Sequence, residues 1–224
     1  MTITSDSVRE KLASEDFGER ITAVNQMRAL EPAIAFELLS IASADSNARV
    51  RYAAVSQLSG VGHHNKDSAA ELLRDRLISD PEPDVQAAAA DSIGALKFTQ
   101  LFESLRAVYD ATPEWLVKFS IIAALGELGE PKAFELLKEA MGSTNELVKT
   151  AAIGALGELG DERAIELLIP YATHPDWQTR HRVVQALNHF AQNATAQDVL
   201  QQMTQDDSEI VAQTAKTHLE QSNP

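Results

Sequence analysis

One segment of this chain is written nearly three times over, and that repetition limits the available folds more than any other feature. The stretch EWLVKFSIIAALGELGEPKAFELLKEAMGST begins at Glu114, NELVKTAAIGALGELGDERAIELLIPYATHP at Asn145, and DWQTRHRVVQALNHFAQ at Asp176. The Ala-Leu-Gly-Glu-Leu-Gly segment at 124–129 returns at 155–160, 31 residues on. A fixed period of about 20–50 residues marks a stacked-repeat architecture, in which a unit too small to bury its own apolar face leans on its neighbours.

With Val148 as a reference position, equivalents fall at Glu19, Val50, Val85, Val117, Thr179 and Val211, spaced by 31, 35, 32, 31, 31 and 32 residues in chain order. Four residues after each stand Ala23, Ala54, Ala89, Ile121, Ala152, Val183 and Ala215. Eight after stand Met27, Leu58, Ile93, Leu125, Leu156, Leu187 and Leu219. That spacing draws one apolar stripe down a helix. Three residues before each reference lie Asp16, Asn47, Glu82, Glu114, Asn145, Asp176 and Ser208, mostly acceptors suited to the free N–H groups of a helix start. One residue after it, Arg20, Arg51, Lys118, Lys149 and Arg180 are basic. Acceptor and base are four apart, so the expectation is a pair across one turn, repeated as a ladder.

A second helix follows each of the first six, as in AIAFELLSIA, SAAELLRDRL and AFELLKEAM. The chain therefore reads as all-α, a single α-solenoid over 1–224. A leading cap helix is expected at about 5–14, units starting near 16, 47, 82, 114, 145 and 176, and a terminal cap helix at about 207–220. The one long spacing, 35 residues, places an enlarged turn at SGVGHHNKD, 59–67.

Charge and composition narrow the function classes. With 33 acidic against 19 basic residues and a net charge of −14, the surface repels phosphate backbones and anionic lipid, so neither nucleic acid nor a membrane surface is an expected partner. The chain has no cysteine, which excludes disulfides, thiolate metal sites and a thiol intermediate of its own. No apolar run approaches the length of a membrane span and MTITSDSVREKLAS lacks an apolar signal core, so the expected location is cytoplasmic.

The unit D-x-x-V-R-x-x-A-A-x-x-L-G-x-L-G-D-x-R-A-x-x-x-L resembles the short HEAT-like repeat of the phycobilisome lyases. It matches best at Asn145, Val148, Lys149, Ala151, Ala152, Leu156, Gly157, Leu159, Gly160, Asp161, Arg163, Ala164 and Leu168. The resemblance covers roughly the whole chain and implies about seven HEAT-like helix-turn-helix repeats. It is carried by packing and capping residues, so it speaks to fold more than to activity. For function it implies the E/F-type phycobilin lyase family and, within it, members that dismantle the phycobilisome by detaching or transferring chromophore. The implied partners are phycocyanin or allophycocyanin subunits and their bilin. Phycocyanobilin would then be ligand or substrate rather than a resident cofactor. The thioether cysteine would belong to the substrate. In this repeat class second helices line the concave face, which would carry Tyr109 and Tyr171 there, with Pro170 interrupting its helix.

Against that background, Trp115 and Trp177 each open a first helix, and Arg180, His181 and Arg182 follow Trp177. An aromatic face beside cations suits a tetrapyrrole with propionate side chains, although aromatics at helix starts also serve packing. Arg49 and Tyr52 make a similar group beside Arg51, which belongs to the capping ladder. His181 is the candidate proton donor, with His174 and His189 elsewhere in the same region. The adjacent His63 and His64 match no metal-ligand spacing, and no metal site is expected. Phosphate-loop, dinucleotide, metalloprotease and nucleophile-elbow motifs are absent. The alternative to a bilin-directed protein is a non-catalytic interaction scaffold, for example for an assembly factor, which an acidic solenoid without catalytic motifs also fits. The open ends of such an array would also admit a homodimer.

Overall fold

The structure, a computed structural model, describes residues 3–222, and these are built from helices with no strand among them. In chain order the helices are α1 (Ser5–Leu12), α2 (Phe17–Gln26), α3 (Pro32–Ala42), α4 (Ala48–Val61), α5 (Lys66–Ser79), α6 (Pro83–Ala95) and α7 (Phe102–Ala111). There follow α8 (Trp115–Leu128), α9 (Ala133–Ala140), α10 (Glu146–Leu159), α11 (Arg163–Leu168), α12 (Trp177–Asn188), α13 (Ala194–Met203) and α14 (Glu209–Ser222). The first helices of the repeats are α2, α4, α6, α8, α10, α12 and α14.

Their starts are fixed by side chains. Asp16, Asn47, Asn145 and Asp176 each cap their helix, with Asp16 accepting from Gly18 N–H at 2.7 Å and Asn145 from Leu147 N–H at 2.9 Å. Glu82 makes no side-chain cap, and Pro83 pre-sets the first turn of α6 instead. A second layer of caps lies two residues upstream, where Ser14, Asp45, Asp80, Thr112, Ser143, His174 and Asp206 each accept the N–H of the following cap residue.

That upstream column, rather than the cap residue of the same helix, is what the arginines engage. Arg20 Nε and Nη2 donate to Asp45 at 2.7 and 3.0 Å, Arg51 to Asp80 at 2.8 and 2.8 Å, and Arg180 to Asp206 at 2.7 and 2.7 Å. The remaining Nη1 groups reach back to Ser14, Asp45 and His174 carbonyls at 3.0, 3.0 and 2.8 Å. Each arginine thus ties its own preceding turn to the turn opening the next repeat, and the expected pairing across one turn is replaced by a clasp between repeats. A bidentate fork satisfies both carboxylate oxygens, which a pair within one helix would not do.

Helix ends use a left-handed residue twelve after the reference: Gly129 at φ 70° and Gly160 at φ 72°. In the third repeat the same place is held by Lys97 at φ 54°. There Phe98 N–H donates to the Ile93 carbonyl at 3.1 Å and Lys97 N–H to Gly94 at 2.9 Å, closing the end of α6.

The chain divides between Ala124 and Leu125 into two compact units. In the first, α2, α4 and α6 pack side by side, with α3 and α5 behind them. Val50, Ala54 and Leu58 are fully buried, as are Val85, Ala89 and Ile93, while Glu19 at the first reference position is exposed. Neighbouring first helices are joined by polar bonds: Gln57 Nε2 donates to the Val24 carbonyl at 3.1 Å and the Ser92 hydroxyl to Val55 at 2.9 Å. The enlarged turn at 59–67 is absorbed by α4 running on to Val61 and by a 3-10 turn over Gly62–Asn65.

In the second unit α10, α12 and α14 form the corresponding layer, with α9 against α10 and α13 against α12 and α14. Here the positions of Gln57 and Ser92 are held by Ala155 and Ala186. Gly126 faces Ala155 and Gly157 faces Ala186, so closely that a Cβ on Gly157 would lie 2.6 Å from the Ala186 Cα. The α11 helix stops at Leu168 and the chain continues through Pro170 as a 3-10 turn to Thr173, consistent with a proline ring that cannot sit inside an α-helix.

Candidate functional site

Leu147 and Trp177, near the starts of two neighbouring first helices, are both exposed, and the gap between those starts is open. Between α10 and α12 it becomes a groove of about 760 Å³. Leu147 and Thr150 line it from α10, with Glu146 at the edge paired to Lys149 at 2.7 Å. Trp177, His181, Arg182 and Gln185 line it from α12, and His174 and Asp176 from the turn before. Trp177 is 40% exposed and Leu147 53%, so the groove presents an apolar wall to solvent.

The polar groups are individually constrained. Asp176 accepts from the N–H groups of Gln178 and Thr179 and from the Thr179 hydroxyl, and these bonds hold its carboxyl below the usual range. His181 Nε2 lies 3.2 Å from Thr214 Oγ1, and that hydroxyl donates to the Ile210 carbonyl at 2.8 Å. The hydroxyl therefore accepts from His181, which puts a ring proton on Nε2. The Arg182 stem crosses α10 where Gly154 leaves room for it, and its Nη1 donates to Gln185 Oε1 at 3.4 Å.

Behind the groove, burial pushes the Glu158 carboxyl above its usual range and Glu127 adds to the effect, while His189 and Arg182 oppose it. Burial also lowers the His218 imidazole, and the charges of His181 and His189 act in the same direction. His218 stands in α14 at the position held by Ala124, Ala155 and Ala186 in earlier repeats.

Of the residues singled out in the sequence, Trp177, His181 and Arg182 line this one groove. Arg180 is committed to Asp206 and the turn carbonyls on the other side of α12. Trp115 belongs to the first unit, where it is 47% exposed. Arg49 and Tyr52 line a smaller groove of about 330 Å³ between α4 and α6, together with Glu82 and Asp84. The two grooves occupy the same place in the repeat, since Thr150 and Tyr52 both stand two residues after their reference positions. His174 shares the larger groove and its ring stacks on Tyr171 at 6.3 Å, whereas His189 follows the last residue of α12, about two turns beyond His181. Tyr109 is buried and carries Lys118 over its ring at 5.0 Å. Leu147 and Gln185 complete the groove without having drawn attention in the sequence. A signal was available for Leu147: an apolar residue just before the reference, off the buried stripe, repeated as Ile210. No group of three or more His, Asp or Glu side chains able to hold a metal occurs among the described residues, and no described helix is long and apolar enough to cross a membrane.

A family model of HEAT repeats matches residues 70–156 and 135–220. Among solved structures, the complex of CpcE and CpcF of phycocyanin lyase from Nostoc sp. PCC7120 is similar at 20% identity over 99% of this chain and 96% of that one, with a TM-score of 0.65. The Escherichia coli protein YibA is similar at 17% identity over 96% of this chain and 81% of its own, TM-score 0.64. An archaeal HEAT-like repeats protein from Thermococcus onnurineus NA1 shares 13% identity over 100% and 98% of the two chains, TM-score 0.58. No curated protein is a significant match to the sequence.

Proposed function

The chain belongs to the HEAT-repeat family, and from that premise we propose that it binds phycobiliprotein subunits and receives their linear tetrapyrrole in the α10–α12 groove. The observation that carries this reading is the meeting of Trp177, Leu147, Arg182 and His181 in one opening of about 760 Å³, within the size range of small-molecule sites. The Trp177 and Leu147 side chains would lie against pyrrole rings, and the Arg182 guanidinium would meet a propionate. With Nε2 bound to Thr214, the His181 Nδ1 is the ring atom left to carry and donate a proton to the bilin, from the imidazolium form. The similarity of the repeat to those of the phycobilisome lyases, and of the fold to the CpcE and CpcF complex, supports this choice of partner. In the finer form of the proposal the chain helps to dismantle the phycobilisome in the cytoplasm by detaching or transferring the chromophore.

A second reading, a non-catalytic scaffold, is favoured by a specific observation: Arg180 and His181 are both tied into contacts with the neighbouring repeat. One experiment separates the two. The purified protein is mixed with holo-phycocyanin and, separately, with free phycocyanobilin, while the visible spectrum is followed and the bilin is located on a denaturing gel. The expected result is a spectral shift with free bilin, weakened about tenfold in Trp177→Ala and Arg182→Ala. Bilin leaving the subunit band marks chromophore detachment. Co-migration with phycocyanin without movement of bilin marks the scaffold. Binding of neither phycocyanin nor free bilin would sink the bilin reading and leave a scaffold for another protein partner.

A further inference from the structure

The first unit carries an exposed edge of different chemistry. Phe17, Tyr52 and Trp115 are 43%, 49% and 47% exposed. Phe17 and Trp115 hold the same repeat position at the starts of α2 and α8, and Tyr52 stands one turn inside α4, on the face that position i+4 shares with i. Single exposed apolar residues are ordinary, but here three large rings recur along one line of helix starts, on α2, α4 and α8. Where Tyr52 meets α6 the edge sinks into the 330 Å³ groove that also contains Glu82, Asp84 and Arg49. Unlike Asp45 and Asp80, which are clasped by arginines, Glu82 and Asp84 make no side-chain hydrogen bond or salt bridge among the described residues. Arg51 also acts on Glu82 but is answered by Asp80, so Glu82 and Asp84 against the Arg49 guanidinium leave the groove net negative.

We propose that this edge of the first unit docks a helical segment of a partner protein rich in lysine or arginine. A cation on a long apolar stem is the side chain that suits an exposed ring beside carboxylates: the stem lies on Tyr52 and the head reaches Glu82 and Asp84. The groove has room for one such side chain. Adjacent packed helices lie about 8–10 Å apart, and two turns of an α-helix rise about 10.5 Å. A partner helix crossing the starts of α2, α4, α6 and α8 therefore sets residues i, i+7, i+14 and i+21 over successive repeats. The net charge of −14 steers a basic segment toward the surface and repels nucleic acid and anionic lipid. The inference is independent of the bilin groove.

The test uses the full chain and a fluorescein-labelled amphipathic peptide of lysine and leucine, about 25 residues long so that it spans the four helix starts, with binding read by anisotropy. Tyr52→Ala and the pair Glu82→Gln with Asp84→Asn should each weaken binding about tenfold, and Arg49→Gln should strengthen it about threefold. Trp177→Ala should change nothing, and neither should the charge-matched pair Glu166→Gln with Asp198→Asn on the exposed surface of the second unit. The sign at Arg49 is decisive even if another variant folds poorly. Weaker binding in Arg49→Gln would overturn the proposal, because that residue would then be recruiting an anion. Equal weakening by the charge-matched pair would overturn it in favour of bulk charge. Tighter binding of a glutamate–leucine peptide, or of phosphatidylglycerol vesicles, would overturn it as well.

Discussion

Asp80 has no exposed side-chain surface, yet it is held as a carboxylate by two 2.8 Å bonds from Arg51, a third from Arg76 at 3.4 Å and the Glu82 N–H at 3.1 Å. Burial alone would push its carboxyl up, but the Arg51 and Glu82 hydrogen bonds and the charges of Arg51 and Arg76 outweigh that and keep it below the usual range. Asp45 and Asp206 are lowered in the same way, by Arg20 and Arg180. Carboxyls depressed on folding contribute stability that is complete above the unfolded value of about 3.9 and is lost as pH falls through the folded values. Urea midpoints should therefore hold level from neutral pH down to about pH 5 as far as these three groups are concerned, then fall steeply. Asp80→Ala leaves the Arg51 charge enclosed without its partner and should cost about 3–5 kcal/mol at neutral pH. It should also flatten the acid limb. A loss below about 1 kcal/mol would mean that the clasp is merely a surface pair.

At the scale of the element, the first helices approach one another by two different devices. Gln57 and Ser92 bond to carbonyls of the preceding first helix, while Gly94 admits Ala124 directly and Gly157 in the second unit admits Ala186. Ordinarily, replacing a helical glycine by alanine stabilises a helix by about 0.5–1 kcal/mol. Gly60 in α4 has nothing within 4 Å of its added Cβ and should follow that rule. Gly157→Ala should do the opposite and lose about 1–3 kcal/mol, because the methyl would meet backbone that cannot give way locally. Equilibrium urea unfolding of the two variants tests the pair of signs. Helix ends offer a third case: Lys97 holds the left-handed place that Gly129 and Gly160 hold elsewhere. Lys97→Gly should therefore stabilise the protein by about 1 kcal/mol, a gain read in the same titrations.

In a stack of local contacts, stability across the molecule should be graded rather than uniform. Helix α1 buries Val8 alone, whereas α6 buries a nearly continuous set from Val85 to Ile93. Native-state amide exchange should therefore find α1 opening at least about tenfold more readily than α6. Equal protection in both would point to a single cooperative block. The same repetition explains how one chain can carry two grooves of one construction and different chemistry. The columns that build the stack stay fixed, and those at the helix starts, facing water, vary without cost to the core.

Periodicity alone sets the helical class, the repeat register and most of the core, because an apolar residue every four positions can be buried only one way on a helix. The columns through Val148, Ala152 and Leu156 were legible for that reason, as were the cap at Asn145 and the interruption at Pro170. That Arg20, Arg51 and Arg180 reach the next repeat follows from the packing of repeats, since the aspartates they engage lie 25, 29 and 26 residues away and no local spacing encodes that pairing. The packing also decides that Arg180 turns away from Trp177 while His181 and Arg182 share its groove. Successive residues on a helix point about 100° apart, so neighbours in sequence part company in space. Leu147 and Trp177, 30 residues apart in the chain, meet there because their helices stack side by side.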